Sequence, residues 1–412
     1  MALNYVWISF FVIAFIVALY QLIFEGNTEV FAKMMTSTFE NSKTGAEIAI
    51  GLTGVMTLWL GIMKIGEKAG MIEKFAKFVN PLFSRLFPQV PKKAPAMGSV
   101  VMNFSANMLG LDNAATPLGL KAMKELQELN PQKDTASNPQ IMFLVLNTAG
   151  LTIIPTSVMA VRLAMGAANP ADIFIPTMIG TFISFMSGMI AVAAYQRINL
   201  FRLPVLVFIG GFLLLMYGLY AWMHTMPSED IATYTAMIGG LIIFSVIILF
   251  LVAGARRKIN VYEAFIDGAK EGFTTAVMII PYLVAILVGI GVFRVTGCLD
   301  FITNGIALLV GWMGLNTDFV PALPVGIMKT FSGGGARGLM IDLMKPENYG
   351  PDSFVGRLAC IMQGSTETTF YVLALYFGSV NIKKTRHALA CGLIADVVGV
   401  IAAIIIGYIF FH

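Results

Sequence analysis

The sequence predicts an all-α polytopic membrane protein with about nine transmembrane helices plus two re-entrant helical hairpins, arranged as two inverted-topology repeats. Three observations carry that prediction. Hydrophobic residues make up 57% of the 412 and charged residues 12%, with mean hydropathy +0.80, outside the range of soluble globular domains. Apolar runs long enough to cross a bilayer recur along the chain, and several are broken at their centres by polar residues. Finally, the two halves of the sequence align with each other in a constant register.

Taken in order, Tyr5 to Phe24 is the first apolar span, and the polar stretch Glu25 to Glu47 after it reads as an interfacial segment. A second span runs from about Ile48 to Ile65. Between Lys68 and Val90, apolar residues near helical spacing alternate with Lys74 and Lys77, the pattern of a helix on the membrane surface. Residues from Pro95 to about Leu129 form two short apolar arms around a Gly- and Asn-rich centre, too short to span singly, so they read as a re-entrant hairpin. Ile141 to Met165 is long enough to cross, yet Asn147, Thr148, Gly150, Thr152 and Pro155 interrupt it as a broken helix requires. Spans at Ile173 to Tyr195, Leu203 to Met223, Tyr234 to Ala253 and Thr275 to Val292 follow, and Cys298 to Leu315 is assigned to the interface. Pro321 to Met344 repeats the hairpin pattern with Phe331-Ser332-Gly333-Gly334-Gly335-Ala336-Arg337-Gly338 at its tip. A second broken helix, Phe354 to Phe377, encloses Gln363-Gly364-Ser365-Thr366-Glu367-Thr368-Thr369, and Ala388 to Phe411 closes the chain.

A shift of 227 takes Lys43 to Lys270, Gly45 to Gly272, Gly70 to Gly297, Glu73 to Asp300 and Phe104-Ser105 to Phe331-Ser332. After a deletion in the second hairpin, a shift of 216 takes Ser137 to Ser353, Asn147 to Gln363 and Thr152 to Thr368. The division is a first repeat at 1–200 with its hairpin at about 95–129, a connecting helix at 201–230, and a second repeat at 231–412 with its hairpin at about 321–344. Equivalent spans stand five crossings apart, so the repeats are inverted. With the N-terminus inside and the C-terminus outside, 19 of the 27 Lys and Arg residues fall in cytoplasmic segments, as the positive-inside rule requires.

An ionisable group at mid-bilayer depth costs about 2.5–3.5 kcal/mol on insertion scales and normally faces a bundle interior or a watery cavity. Broken helices and hairpin tips also leave free amides and carbonyls there. The candidate substrate- and ion-binding residues are therefore Asn103, Ser105, Asn107, Asp112 and Asn113 of the first hairpin, with Asn147, Thr148 and Thr152 of the first broken helix. The second half contributes Ser332 and Arg337, then Gln363, Ser365, Thr366, Glu367 and Thr368. Glu367 is the candidate ion or proton site, and Arg337 is either its partner or a contact for a substrate anion. Asp396 reads equally as a packed acid or a coupling group. The simpler alternative is that these groups bond neighbouring helices. No nucleophile–base pair or metal triad is legible, so an enzyme is not expected. The glycines at 333–335 lack the following G-K-[ST] of a phosphate loop, and the three Cys and three His are scattered, so no metal site or cofactor is predicted beyond Na+ or H+ as coupling ion. The expected partners are a small polar solute and the lipid bilayer, with a homo-oligomer left open. The net charge of +4 carries no nucleic-acid signal.

The first half, through Gly51-Leu52-Thr53-Gly54, Asn103-Phe104-Ser105-Ala106-Asn107, Asn113-Ala114-Ala115-Thr116-Pro117-Leu118-Gly119 and Leu146-Asn147-Thr148, resembles the spore maturation protein A family. The second half, through Glu271-Gly272-Phe273, Ile280-Pro281-Tyr282, Gly350-Pro351-Asp352-Ser353 and Gln363-Gly364-Ser365-Thr366-Glu367-Thr368-Thr369-Phe370-Tyr371, resembles spore maturation protein B. Both belong to a wider nucleoside-recognition or gate-domain group that concentrative nucleoside transporters are thought to share. That resemblance implies the hairpin architecture, the inner (plasma) membrane of a bacterium, and a solute as ligand. Two functions are consistent with it: a cation- or proton-coupled secondary transporter of a nucleoside-like or amino-acid-like solute, and a non-transporting scaffold or regulator of envelope or spore maturation.

Overall fold

The computed structural model describes residues 2–91, 94–110, 112–153, 155–223 and 228–412. Among them the chain is all-helical: α1 (Ala2–Phe24), α2 (Val30–Lys68), α3 (Met71–Leu86), α4 (Pro95–Met108), α5 (Asp112–Glu128), α6 (Asn138–Ala149), α7 (Thr156–Ala164), α8 (Phe174–Gln196), α9 (Leu203–Met223), α10 (Ser228–Arg256), α11 (Val261–Val295), α12 (Cys298–Trp312), α13 (Leu323–Phe331), α14 (Gly333–Met344), α15 (Phe354–Ser365), α16 (Thr369–Ser379) and α17 (Ala388–Phe411). Six helices, within α1, α2, α8, α10, α11 and α17, are long and apolar enough to cross a membrane. Their outward faces carry large apolar side chains such as Ile16, Ile50, Leu241 and Ile405, as lipid contact requires.

Element lengths repeat with the sequence register. Moved by 227 residues, α1 falls on 229–251, α2 on 257–295 and α3 on 298–313, where α10, α11 and α12 lie. Moved by 216, α6 falls on Phe354–Ser365, which is α15 residue for residue, and α8 falls on 390–412, where α17 lies. The stop signals repeat too. Gly70 (φ 69°) and Gly297 (φ 75°) both take the left-handed conformation that ends one helix and starts the next, and Ser137 and Ser353 both stand at N-caps. Between the two series α9 has no counterpart.

One expectation fails. Residues 30–47, read as an interfacial segment separate from the second span, are instead the first turns of the 39-residue α2. Two of its polar residues are buried against protein, since Ser37 and Asn41 lie beside Gly291 of α11 and Asn41 Oδ1 accepts from Lys345 Nζ at 2.7 Å, while Lys33, Glu40, Lys43 and Glu47 stay exposed.

Helices α2 and α11 run antiparallel in close contact, Gly45 lying on Val284, Gly272 on Met56 and Thr57, and Gly291 on Asn41. The first two contacts exchange equivalent positions, since Gly45 corresponds to Gly272 and residue 57 to 284. A Cβ on Gly272 would stand 2.7 Å from the Met56 carbonyl oxygen and from Thr57 Cα, which is why glycine is needed at this backbone-to-backbone crossing. Helices α8 and α17 also run antiparallel, with Gly188 near Ala395, Gly399 near Ser184, and the Gln196 side chain 3.3 Å from His387 Nε2.

The linkers between these elements lock in two reciprocal pairs. At one end, Arg162 Nη2 lies 2.9 Å from Asp172 Oδ1 and 3.1 Å from Asp352 Oδ1, Arg357 Nε lies 2.7 Å from Asp172 Oδ2, and the Ala168 amide donates to Asp352 Oδ2 at 2.9 Å. Arg162 and Asp172 are wholly buried. At the other end, residues 136 and 384, the counterparts of 352 and 168, bond through backbone alone: the Ala136 amide donates to the Lys384 carbonyl at 3.0 Å. Asp134 and Lys384 add an exposed ion pair at 3.6 Å, and the Thr135 hydroxyl, with Lys384, holds the Asp134 carboxyl below its usual range.

Two outcomes follow for stability in detergent. Gly272→Val should destabilise by about 1–3 kcal/mol through overpacking, whereas Gly54→Val, with nothing within 4 Å, should melt like the parent. Arg162→Gln should cost up to about 3–5 kcal/mol because it removes the wholly buried partner of Asp172, which keeps only Arg357. Lys384→Gln, on an exposed pair, should melt like the parent. Thermal unfolding of the four purified variants checks both contrasts.

Candidate functional site

Four interruptions of helical backbone meet in one place. The α4–α5 turn forms a first hairpin tip and Ser332, between α13 and α14, forms a second. The α6–α7 break begins at Gly150, left-handed at φ 59°, and the α15–α16 break spans Thr366–Thr368. Backbone groups freed there bond to one another: the Ile153 amide donates to the Met108 carbonyl at 2.9 Å and the Glu367 amide to the Thr148 carbonyl at 2.8 Å. Side chains extend the pattern. Asn107 Nδ2 donates to Asn147 Oδ1 at 2.8 Å, tying the first tip to the first break, and Gln363 Nε2 donates to the Gly333 carbonyl at 3.3 Å, tying the second tip to the second break. Asn147 and Gln363 are equivalent positions, so each half fastens its own tip with a carboxamide.

The space left between these elements is a cavity of about 640 Å³. Of the candidates named from sequence, Asn107, Asn147, Thr152, Ser332, Arg337, Gln363, Glu367 and Thr368 line it. Five others lie off the wall in local bonds. Asn103 Nδ2 donates to the Ala115 carbonyl at 2.8 Å, Ser105 to Val101 at 2.7 Å, Thr148 to Val145 at 2.7 Å and Ser365 to Ile361 at 2.6 Å. Thr366 is buried beside Gly399. These five turn toward neighbouring helices because the break fixes which face of each short helix meets the cavity. The side chains of Asp112 and Asn113 lie outside the described residues.

The sequence reading missed Lys329. It is 6% exposed, lines the cavity from the last turn of α13, and places Nζ 3.8 Å from Glu367 Oε2. A lysine in the short apolar arm Leu323–Phe331 is itself a signal, because an ionisable group at that depth needs a cavity or a partner. Thr116, Thr156, Ser157, Phe331, Tyr371 and Tyr376 also line the wall. Asp396 of α17 is buried behind it, accepting from Thr369 Oγ1 at 2.7 Å through Oδ2. Among the described residues no group of three or more His, Cys, Asp and Glu is placed to hold a metal ion.

The helices and the polar residues of this cavity define a polytopic membrane protein. The chain belongs to the nucleoside-recognition gate family, whose domain matches residues 49–168 and 276–383, segments that contain both tips and both breaks. It is 39% identical over 187 residues to spore maturation protein A of Bacillus subtilis (strain 168), covering 45% of this chain and 92% of that protein. It is 49% identical over 156 residues to spore maturation protein B of the same organism, covering 38% of this chain and 85% of that protein. No solved structure matches.

The separation of wall residues from bonded residues is testable. Asn103→Leu should cost about 0.5–1.5 kcal/mol by removing its buried bond to the Ala115 carbonyl. Glu367→Gln, altering a side chain 53% exposed to the cavity, should change stability by less than about 1 kcal/mol. Thermal melts of the two variants distinguish the roles.

Proposed function

We propose that this protein is a secondary transporter of a small polar solute that alternates access around the cavity between the two hairpin tips. The observation carrying the reading is that cavity itself: polar side chains and unwound backbone from all four interruptions converge on one solvent-sized space inside a membrane domain. A scaffold has no need to bear the insertion cost of that wall.

In this reading the two repeats are inverted, because the equivalent helices α2 and α11 are antiparallel partners, as are α8 and α17. Nine crossings result from the six long apolar helices, α9, and the composite elements α6–α7 and α15–α16. Helix pairs α4–α5 and α13–α14 are re-entrant, entering from the cytoplasm and from outside respectively. The reciprocal linker pairs fit this arrangement, with 134–136 and 383–386 on the cytoplasmic side, and 162–172 and 350–357 on the outer side. Cysteines introduced at Lys77 and Asn316, both exposed, should then label from opposite faces of sealed cells, Lys77→Cys from inside. Labelling of both from one face overturns the inversion.

In this reading Glu367 carries the coupling proton or cation, because it is the acid that lines the cavity among the described residues. Transport is tested by counterflow in vesicles with the purified protein and a panel of nucleosides, amino acids and hydroxy acids. Exchange of at least one solute is expected, lost in Gln363→Leu. Absence of exchange across the panel overturns transport in favour of a scaffold, and gradient-driven uptake that persists in Glu367→Gln overturns the coupling role.

A further inference from the structure

The duplication makes the first hairpin tip a control for the second. Before the tip, counting back 227 residues takes Lys329 to Met102, and past the tip the second helix starts Gly333-Gly334-Gly335 in one half and Asp112-Asn113-Ala114 in the other. A cationic side chain before the tip and a glycine-rich helix start after it therefore stand in one half and not in its counterpart. At the second tip, Ser332 Oγ accepts from the Gly335 amide at 3.0 Å, capping the twelve-residue α14. The amides of Gly333 and Gly334 stand at the first two positions of that helix, where no intrahelical acceptor exists, and both residues line the cavity.

A Cβ on Gly333 would stand 2.9 Å from Thr368 Oγ1 and 3.9 Å from Lys329 Nζ, so the bare backbone, the hydroxyl and the ammonium share one small space. Arg337 lines the cavity one turn further along α14. Two further observations point to a ligand there. Gln363, 4% exposed and on the cavity wall, has its Oε1 buried without a hydrogen-bond partner, an acceptor for an N–H or O–H of the solute beside its carboxylate. The Lys329–Glu367 contact is long, at 3.8 Å, and Glu367 is more than half exposed to the cavity. It is a loose internal pairing that an incoming anion can replace.

We propose that the second hairpin tip is a carboxylate subsite. The amides of Gly333 and Gly334 with Lys329 and Arg337 receive an anionic carboxylate of the solute, and the neutral groups of the first tip and break, Asn107, Asn147, Thr152 and Thr116, face its uncharged end. Helix N-termini and ammonium groups favour a carboxylate in this way. The solute is thus a small organic acid or an amino acid rather than a neutral nucleoside. Glu367, 3.8 Å from Lys329, competes with the solute carboxylate for it and pairs with it again when the solute departs. This inference rests on the transport reading for its use of the word solute, but binding at the subsite is measurable without transport.

The experiment is calorimetric titration and thermal shift of the purified full chain in detergent. The probes are glycine, glycolate, succinate and N-acetylglycine, each paired with its own amide, with uridine as a neutral comparison. At least one carboxylate should bind and raise the melting temperature, its amide binding about tenfold more weakly or worse. Lys329→Met, which installs the residue of the first repeat, should abolish that preference. Glu367→Gln removes the internal competitor and should tighten carboxylate affinity severalfold. Should Lys329→Met fail to fold, Glu367→Gln decides alone, because unchanged carboxylate affinity in that variant overturns the subsite. Equal binding of each acid and its amide, or binding of uridine with no carboxylate bound, also overturns it. Carboxylate binding without counterflow leaves the subsite standing and removes transport, and counterflow of a neutral solute alone does the reverse.

Discussion

Unwound backbone inside a membrane has no water to fall back on, and the rest of this structure depends on how that demand is met. Each tip and each break exposes amides and carbonyls whose burial without partners costs several kcal/mol apiece. The chain answers by bringing the interruptions together. The first break takes its bond from the first tip through Ile153 and Met108, and the second break takes its bond from the first through Glu367 and Thr148. The cavity is the volume that these mutual bonds leave over. Its polarity is therefore a consequence of the same helix interruptions that create it.

Such convergence requires the two halves to sit at a fixed distance, and the glycines of α2 and α11 set it. Where Gly272 meets the backbone of Met56 and Thr57, an added methyl group has no flexible side chain to displace. The antiparallel α8 and α17 pair repeats this arrangement behind the breaks, with Gly399 against Ser184 and Gly188 against Ala395. Small residues make these crossings close enough that short side chains such as Asn107 and Asn147 reach across between elements.

Against this near-symmetric frame the charges are placed asymmetrically. One linker pair is held by the buried Arg162–Asp172 pair with the half-buried Asp352 and Arg357, and its counterpart by backbone bonds, the Arg386 bond to the Ala136 carbonyl and the exposed Asp134–Lys384 pair. One tip carries Lys329 where the other carries Met102. A buried ion pair contributes less to stability than to specifying a single arrangement, so the two ends of the molecule are defined with unequal strictness although built from the same elements.

Composition alone determined that the chain is a membrane protein, and helix-stop chemistry determined where its helices break: Gly150, Pro155 and the polar run around Glu367 each stand where the backbone unwinds. The constant register, with Asn147 opposite Gln363 and Gly45 opposite Gly272, was likewise legible in one dimension, because a repeat shows in spacing. Facing was not legible. Within short, largely apolar helices, periodicity carries almost no amphipathic signal, so Asn103, Ser105 and Ser365 looked like their wall-lining neighbours until packing turned them away. The continuous α2 was hidden for a related reason, since Ser37 and Asn41 read as an interface until α11 and Lys345 cover them. Lys329 was visible as a letter in an apolar arm, but only the fold brings it beside Glu367, 38 residues away in sequence, because a charge acquires its partner from tertiary distance and not from sequence separation.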